Sequence, residues 1–296
     1  MDGIIIKERN SSPMIAALGT CNIDFLMKVP RFSEADDEVD VEDLHISLGG
    51  SATNFAIGLS RAGLNVGLIA RIGNDTYGQF AEEKLEKEGV KTDRLIKISK
   101  PTGIAFIAVD TIGERSIYTS MGANAYFKLE KEDLDYIKST KMLHITGMYK
   151  EVVEEAAKHA RFMSFNPGAA LSAYGVVELM EIIKRTHIIF LNKKEIKTLT
   201  GEEYHPGAKK LVDLGVPMVV VTCGRRGAYL YTSDDIIHSP TKKTESLDTT
   251  GAGDAFAAGF IAEFSKNSDT IKCLQMGNKS ASACLSRLGA VNVPHP

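Results

Sequence analysis

Residues 66–89, VGLIARIGNDTYGQFAEEKLEKEG, decide the fold class of this chain. Their opening run, VGLIARIG at 66–73, is apolar over most of its length, which is typical of a strand covered on both faces in a parallel sheet. The remainder, from Thr76, has the residue spacing of a helix and ends at Gly89, a residue suited to a helix C-cap. A strand followed at once by a helix indicates an α/β fold with right-handed crossovers.

The same alternation of apolar runs and helical stretches continues along most of the chain. Further strand-like runs are MIAALG (14–19), MLHITGM (142–148), FMSFNP (162–167), IIFLN (188–192) and MVVVTCG (218–224). Further helical stretches cover 150–160 and 252–265. Because no repeat or low-complexity linker divides the sequence, we expect a single α/β domain over residues 1–296.

Two segments, 25–47 and 103–120, lack a helical period and interrupt this alternation. The second is typical of a β-hairpin, with Ile112-Gly113-Glu114 near its turn. We expect both segments to contribute strands to a small separate sheet, which is a natural lid over a site on the α/β body. The acidic stretch 34–43 in the first segment is most simply a solvated hairpin face.

The composition is that of an ordinary globular protein. The 296 residues carry a net charge of −3, with 44% apolar and 25% charged residues, which excludes a mainly disordered, collagenous or coiled-coil chain. The charge gives no reason to expect nucleic acid as a partner, and no apolar run approaches the roughly 20 residues of a membrane span. The four cysteines form no Cys-x-x-Cys pair, so neither a zinc site nor a disulfide framework is expected. We expect a cytoplasmic protein.

The sharpest local feature is the run DTTGAGDAF at 248–256, which is followed by an alanine-rich helical stretch. Gly251 and Gly253 allow a turn that opens a helix, whose unpaired N–H groups and dipole form an anion site. A carboxylate inside an anion site is costly unless it does chemistry there, so Asp254 is a candidate general base for a hydroxyl group. The structural alternative is a tight turn with Asp254 as a helix N-cap.

Two common phosphate-binding loops do not fit these residues. A Walker A loop needs a Gly-Lys-Ser/Thr ending, whereas Asn278-Lys279-Ser280 lacks the glycine array before it. The dinucleotide fingerprint G-x-G-x-x-G nearly fits from Gly251. However, Phe256 stands at its third glycine, where the ring would obstruct close packing of helix on strand. A nicotinamide-dependent oxidoreductase is therefore disfavoured.

The sequence resembles the PfkB, or ribokinase-like, family of carbohydrate and nucleoside kinases over residues 14 to 294. The matching motifs are DTTGAGDAF (248–256), GGSATNFA (49–56) continued to RIG (71–73), GTCNID (19–24), NKKE (192–195) and TCGRRG (222–227). The resemblance implies a three-layer α/β/α domain with a mostly parallel central sheet and a small β-sheet lid. It also implies transfer of the γ-phosphoryl group of ATP to a primary alcohol.

The resemblance assigns the catalytic roles to the glycine turn. Asp254 takes the proton of the acceptor hydroxyl, and the N–H groups of Gly251, Ala252 and Gly253 stabilise charge on the transferred group. These roles are physically reasonable because phosphoryl transfer depends mainly on positioning and electrostatic stabilisation.

The resemblance also implies how the nucleotide and its metal are held. Asn192 and Glu195 orient a hydrated Mg²⁺ ion, although alone they are typical of a helix N-cap with a capping-box partner. The residues implied in nucleotide binding are Asn192, Thr222, Gly224, Gly227, Thr250, Gly251 and Gly253. In ribokinase-like members the loop at Asp248 and Thr250 can also frame a monovalent cation together with the stretch 281–294, so K⁺ is a further candidate.

For the acceptor, the resemblance points to the end of the first strand. A carboxylate at Asp24 can accept hydrogen bonds from two neighbouring hydroxyls, as in a ribose diol, at the sheet edge where open α/β proteins bind ligands. Gly49 and Gly50 allow the backbone to approach the sugar closely and are candidate lid hinges. The residues implied in acceptor binding are Asp24, Asn22, Gly49, Gly50, Asn54 and Asn124.

The identity of the acceptor stays open among sugars, nucleosides and phosphosugars. A phosphorylated acceptor needs Lys or Arg over its phosphate; the first lid segment is acidic, although Lys28, Arg31 and Arg115 are candidate partners. An unphosphorylated acceptor is therefore favoured over a phosphofructokinase-like activity, and a resemblance to compact nucleoside kinases gives a slight preference for a nucleoside or broad specificity. A nucleoside base could stack on Phe25, Phe106, Tyr118 or Phe127.

Two further alternatives concern catalysis and assembly. A sugar-binding sensor that has lost catalysis is disfavoured because Asp254, Asn192 and Glu195 are all in place. Lid strands of this family can pair across a homodimer, which would cover exposed sheet edges.

Overall fold

The computed structural model describes residues 14–241, 251–266 and 269–285. The strands are β1 (Ile15–Gly19), β2 (Asn22–Lys28), β3 (Asp43–Gly49), β4 (Val66–Gly73), β5 (Lys91–Ile98), β6 (Gly103–Val109), β7 (Arg115–Ser120), β8 (Met142–Thr146), β9 (Met163–Asn166), β10 (Ile188–Asn192), β11 (Met218–Thr222), β12 (Ala228–Tyr231) and β13 (Ile236–Ser239). The helices are α1 (Ser51–Arg61), α2 (Thr76–Lys87), α3 (Lys131–Ser139), α4 (Lys150–Ala157), α5 (Gly168–Ser172), α6 (Gly175–Glu178), α7 (Met180–Ile183), α8 (Lys193–Thr200), α9 (Tyr204–Asp213), α10 (Ala252–Phe264) and α11 (Thr270–Leu285).

The main sheet has the strand order β13-β12-β11-β10-β9-β8-β1-β4-β5. Every pair from β11 to β5 is parallel, and only the pairs β11–β12 and β12–β13 at one edge are antiparallel. The predicted mostly parallel sheet is therefore confirmed. Strand β1 lies between β4 and β8, so the chain leaves it first towards one edge and later towards the other. Open α/β sheets bind ligands outside the carboxyl ends of the strands at such a switch point.

Helices cover both faces of this sheet and give the predicted three layers. The residues of β1 alternate between two cores, with Ile15 and Ala17 in one and Ala16 and Leu18 in the other. The first core also contains buried residues of α1, α2, α10 and α11. The second contains those of α3, α4 and α7 to α9. None of the helices in the described residues is both long and apolar enough to span a bilayer.

A second, four-stranded sheet has the order β3-β2-β6-β7. Strands β2 and β6 are parallel, and the other two pairs are antiparallel. The predicted hairpin joins β6 to β7, with Gly113 at a φ of 83° in its turn. Strand β2 of this sheet begins at Asn22, earlier than the segment expected from residue 25. Only Thr20 and Cys21 separate it from β1, so the sequence shows no clear break between the two strands. The placement of the whole chain in one domain stays a prediction.

Candidate active site

The candidate site lies where β1 passes into the second sheet through Thr20 and Cys21. The next two elements return to the same place, since β3 ends at Gly49 and α1 begins at Ser51. Gly50 joins them with a φ of 94°, and a Cβ there would lie 2.4 Å from the carbonyl oxygen of Thr20. This backbone conformation and this close approach require glycine. The two glycines therefore bring the start of α1 against the end of β1.

Asp24 lies in this junction and is held close to Gly49. A Cβ on Gly49 would lie 2.1 Å from Asp24 Oδ1, so only a residue without a side chain leaves room for the carboxylate. Asp24 is 7% exposed. The structure thus brings together three of the predicted acceptor-binding residues, namely Asp24, Gly49 and Gly50.

Asn22 and Asn124 meet at the base of the second sheet. Asn124 lies in the 3₁₀ helix Gly122–Tyr126 and is fully buried. Its Nδ2 donates to Asn22 Oδ1 at 2.8 Å and to the carbonyl oxygen of Cys21 at 3.1 Å. The amide of Asn124 is therefore engaged by the chain itself.

Asp254 lies in the first turn of α10, which follows Gly251 in the left-handed region at a φ of 74°. The first backbone bond of the helix runs from Ala255 N–H to the Gly251 carbonyl oxygen at 2.8 Å. The N–H groups of Ala252 and Gly253 precede it and have no acceptor within the helix. A Cβ on Gly253 would meet nothing within 4 Å. The start of α10 therefore leaves N–H donors without helical partners, and their use as an anion site stays a prediction.

The partner of Asp254 is Asn54, which the sequence analysis placed among the acceptor-binding residues. Asn54 Nδ2 donates to Asp254 Oδ2 at 3.0 Å. Both side chains are buried, and in the described part of the chain Asn54 Oδ1 has no hydrogen-bond partner. A buried oxygen without a donor is unfavourable, so the position of Asn54 beside Asp254 costs stability.

Burial dominates the electrostatics of Asp254. It raises the pKa of this carboxyl to about 7, and the nearby charge of Glu195 raises it as well, whereas hydrogen bonds from Asn54 and Ser51 lower it. A base works best when its pKa lies near the working pH, and perturbed carboxyls in clefts are candidates for function.

Asn192 and Glu195 form the capping box that the sequence allowed as the simpler explanation. Asn192 Oδ1 accepts from the N–H groups of Lys194 and Glu195, each at 2.9 Å, and Glu195 Oε2 accepts from Asn192 N–H at 2.8 Å. Burial raises the pKa of the Glu195 carboxyl. The described residues contain no cluster of three or more metal-ligating side chains. The part of these two residues in orienting a hydrated Mg²⁺ ion, which needs few protein ligands, stays a prediction.

The turn after β11 carries the remaining nucleotide-binding candidates. Thr222 pairs with Asn192 across β10 and β11 at the carboxyl edge of the sheet. Gly224 and Gly227 both have positive φ, at 57° and 82°. Thr250 and Asp248 lie outside the described residues. The same holds for most of the stretch 281–294, which was considered for K⁺.

A cavity that sequence reasoning missed adjoins this turn. A Cβ on Gly227 would lie 2.1 Å from the carbonyl oxygen of Ser239, and Ser239 borders a cavity of about 390 Å³ between the end of β13 and α11. Its lining includes Pro240, Thr241, Gln275, Asn278 and Ser282. No sequence signal could have found it, because the two sides are far apart in the chain and carry no motif.

The position of Phe256 explains why the glycine turn is not a dinucleotide fingerprint. The ring is buried and packs edge-to-face against Phe190 at a centroid distance of 6.4 Å. A Cβ on Gly277 would lie 2.8 Å from it. The close packing of α10 is thus made with α11, and Phe256 fills a core position.

Comparisons with known proteins agree with this geometry. The model of the pfkB family of carbohydrate kinases matches residues 12–296. The ATP-dependent ribose-1-phosphate kinase of Halopiger xanaduensis is 30% identical over 286 residues, which cover 95% of this chain and 94% of the relative. The ribokinase of Thermotoga maritima has a TM-score of 0.86 at 29% identity, with 96% of each chain covered. The nucleoside kinase of Methanocaldococcus jannaschii has a TM-score of 0.83 at 26% identity and the same coverage.

Proposed function

The chain belongs to the pfkB family of carbohydrate kinases, and we propose that it transfers the γ-phosphoryl group of ATP to a hydroxyl of an unphosphorylated sugar or nucleoside bound beside Asp254. Its relatives include kinases of three different acceptors, so family membership alone leaves the acceptor open. The observation that carries the proposal is the buried Asp254 carboxyl, which accepts a hydrogen bond from Asn54 and lies in the first turn of α10 after the Gly251 turn.

In the proposed mechanism, each group of the site has one role. Asp24 accepts hydrogen bonds from the acceptor and fixes its position, and Asp254 removes the proton from the hydroxyl that attacks. The N–H groups of Gly251, Ala252 and Gly253 stabilise charge on the transferred phosphoryl group. Mg²⁺ supplies charge neutralisation on the phosphates when bound, and Glu195 with Asn192 would hold it through water.

The charges of the lid support an unphosphorylated acceptor. The candidate phosphate partners Lys28 and Arg31 are paired with acidic side chains, since Lys28 lies 3.3 Å from Glu42 and Arg31 bonds both carboxylate oxygens of Asp37. An acceptor phosphate would have to displace these carboxylates. The second sheet, which carries Asp24, would act as the lid that closes over the acceptor.

The aromatic residues proposed to stack on a base do not share a face with Asp24. Successive side chains of a strand point to opposite faces, so Phe25 points away from the face that carries Asp24. Phe106 and Tyr118 lie in register with Phe25 on that opposite face, and Phe127 is buried beneath the Arg71 guanidinium at 4.4 Å. A nucleoside base would have to bind elsewhere in the cleft.

The function is tested by ADP release from Mg·ATP with a panel of acceptors: ribose, fructose, ribose 1-phosphate, fructose 6-phosphate, adenosine, inosine, guanosine and cytidine. We expect turnover with at least one unphosphorylated member. Turnover with nucleosides but not free sugars would identify a nucleoside kinase. Turnover with a phosphosugar alone would contradict the proposed acceptor class, and ATP binding without any turnover would contradict catalysis.

The cavity between β13 and α11 is the proposed site of the nucleotide base, because Ser239 on its border lies against Gly227 of the Gly224–Gly227 turn. Ser282 lines it and contacts Thr241 Oγ1 at 3.2 Å. The change Ser282→Trp would fill part of the cavity and is expected to raise the KM for ATP at least about tenfold, since a displaced base loses its buried surface. The KM for the acceptor should stay within about twofold.

Steady-state kinetics with varied ATP measures this effect. Ser233→Trp is the matched control, because Ser233 is exposed in the turn between β12 and β13. An unchanged KM for ATP in Ser282→Trp would place the base elsewhere.

The face of the second sheet that carries Phe25 is the proposed dimer interface. Ile46, Phe106 and Tyr118 are 42%, 42% and 70% exposed and form one apolar row with Phe25. A row of exposed apolar side chains is typical of an interaction surface, and a second copy of the chain would cover it. Light scattering should give a dimer mass for the unchanged chain and a monomer mass for Phe106→Glu. Equal masses for both would contradict this interface.

A further inference from the structure

The side-chain amide of Asn124 is fixed by backbone groups, which settles which of its atoms is the oxygen. The N–H of Cys21 lies 3.1 Å from Asn124 Oδ1 and can only donate. The other end of the amide is therefore Nδ2, and it faces the carbonyl oxygens of Cys21 and Met121, each at 3.1 Å. With no exposed surface, the amide has no other orientation that satisfies these groups.

This fixed donor determines the orientation of Asn22 in turn. Asn124 Nδ2 lies 2.8 Å from the side chain of Asn22, so the atom of Asn22 that meets it must be the acceptor Oδ1. A Cβ on Gly103 would lie 2.4 Å from both Asn124 Nδ2 and Asn22 Oδ1. The pair is therefore enclosed, and the NH₂ group of Asn22 is turned away from Asn124.

The NH₂ group of Asn22 lies on the strand face that also carries Asp24, because residues two apart share a face. Asn22 is half-buried, and none of the described residues accepts a hydrogen bond from its Nδ2. The face thus presents a hydrogen-bond donor at Asn22 beside an acceptor at Asp24.

We infer that Asn124 is a positioning residue that holds the side-chain amide of Asn22 with its NH₂ group towards the acceptor. It does so without contacting the acceptor, which differs from the direct contact that the family resemblance implies for Asn124. The arrangement selects an acceptor with two neighbouring oxygens, one that accepts a hydrogen bond from Asn22 and a hydroxyl that donates to Asp24. The inference rests on the proposed function only in placing the acceptor on this face.

The test is a double-mutant cycle between Asn124→Asp and Asn22→Ala, assayed at pH 8 with D-ribose and with adenosine. Asn124→Asp keeps the bond from Cys21 N–H but replaces the donor with an oxygen, so the amide of Asn22 turns over. We expect kcat/KM for the acceptor to fall about tenfold in the otherwise unchanged chain and less than about twofold when Asn22 is already alanine. The KM for ATP should not change.

An equal loss in both backgrounds would overturn the inference, because Asn124 would then support the sheet without acting through Asn22. Gly103→Ala is a second variant, which displaces the amide pair without replacing either asparagine; it should show the same selective loss. Asn278→Asp is the matched control, since Asn278 Nδ2 donates to the carbonyl oxygen of Ser239 at 2.9 Å beside the proposed nucleotide cavity. It should raise the KM for ATP and not that for the acceptor.

A measurement independent of turnover separates this inference from the proposed function. In ¹⁵N-labelled protein, the side-chain amide protons of Asn124 should exchange slowly with solvent and those of Asn22 quickly. Fast exchange at Asn124, or slow exchange at both, would contradict the inference. Absence of turnover with every acceptor in the unchanged chain would contradict the proposed function and would leave this result standing.

Discussion

The change Asp254→Asn is expected to lower kcat by at least about 100-fold, the scale of a lost general base. The asparagine keeps the size of the side chain, so the helix and its N–H groups should stay in place. The KM values for ATP and for the acceptor should therefore stay within about threefold. Steady-state ADP release with the best acceptor measures the effect, and a kcat near that of the unchanged chain would remove Asp254 from the mechanism.

The activity of the unchanged chain should follow the ionisation of Asp254. Burial raises the pKa of this carboxyl to about 7, and only the ionised form can take a proton. We therefore expect kcat/KM for the acceptor to rise with pH through about 7 and then to level off. A profile that is flat from pH 5 to pH 8 would contradict Asp254 as the base.

The same pKa predicts that Asp254→Asn stabilises the fold at high pH. The pKa of the folded state lies above the ordinary value of 3.8, so between these values the folded chain retains a proton that the unfolded chain releases. Stability from this group is present below pH 3.8 and is lost as the pH rises towards 7. The variant should melt at a higher temperature than the unchanged chain at pH 8, and the difference should shrink at pH 5.

The change Gly49→Ala is expected to lower kcat/KM for the acceptor by about 100-fold, because a displacement of about 1 Å at a positioning residue has this scale of effect. The added Cβ would lie 2.1 Å from Asp24 Oδ1 and 2.2 Å from its Cγ. The carboxylate must therefore move away from the acceptor. The KM for ATP should not change, since Gly49 is not among the residues proposed to bind it.

The control for Gly49→Ala is Gly63→Ala. A Cβ at Gly63 would meet nothing within 4 Å, and its φ of 84° makes the substitution mildly strained. It should lower the melting temperature slightly and leave all kinetic constants unchanged. A loss of acceptor kcat/KM below about fivefold in Gly49→Ala would show that Asp24 does not position the acceptor.

The sequence predicts best those elements that are buried on both faces. Strands 66–73 and 188–192 begin and end where their apolar runs do, because every residue but the last of the second run is buried. Strand β5, KTDRLIKI, lies at the edge of the sheet and is half-exposed. Its charged residues hide the apolar pattern, so the sequence analysis missed it, as it missed β12 and β13.

The candidate residues of the site could be singled out from the sequence, but the pairing of their side chains could not. Asp254 was evident from the glycines beside it, since a carboxylate in an anion site is unusual. Its bond to Asn54 joins residues 200 positions apart, and no local pattern encodes such a contact. In the same way, Asn124 was expected to contact the acceptor, whereas its bonds to Cys21 and Asn22 depend on how two sheets meet.

The most direct test of phosphoryl transfer at Asp254 is ³¹P NMR of the unchanged chain and of Asp254→Asn, each incubated with Mg·ATP and the best acceptor. With the unchanged chain, we expect the γ-phosphate signal to decline as a phosphomonoester signal of the acceptor grows; with Asp254→Asn, neither change should occur on the same timescale. Release of inorganic phosphate without an ester, or equal ester formation by both proteins, would contradict the account.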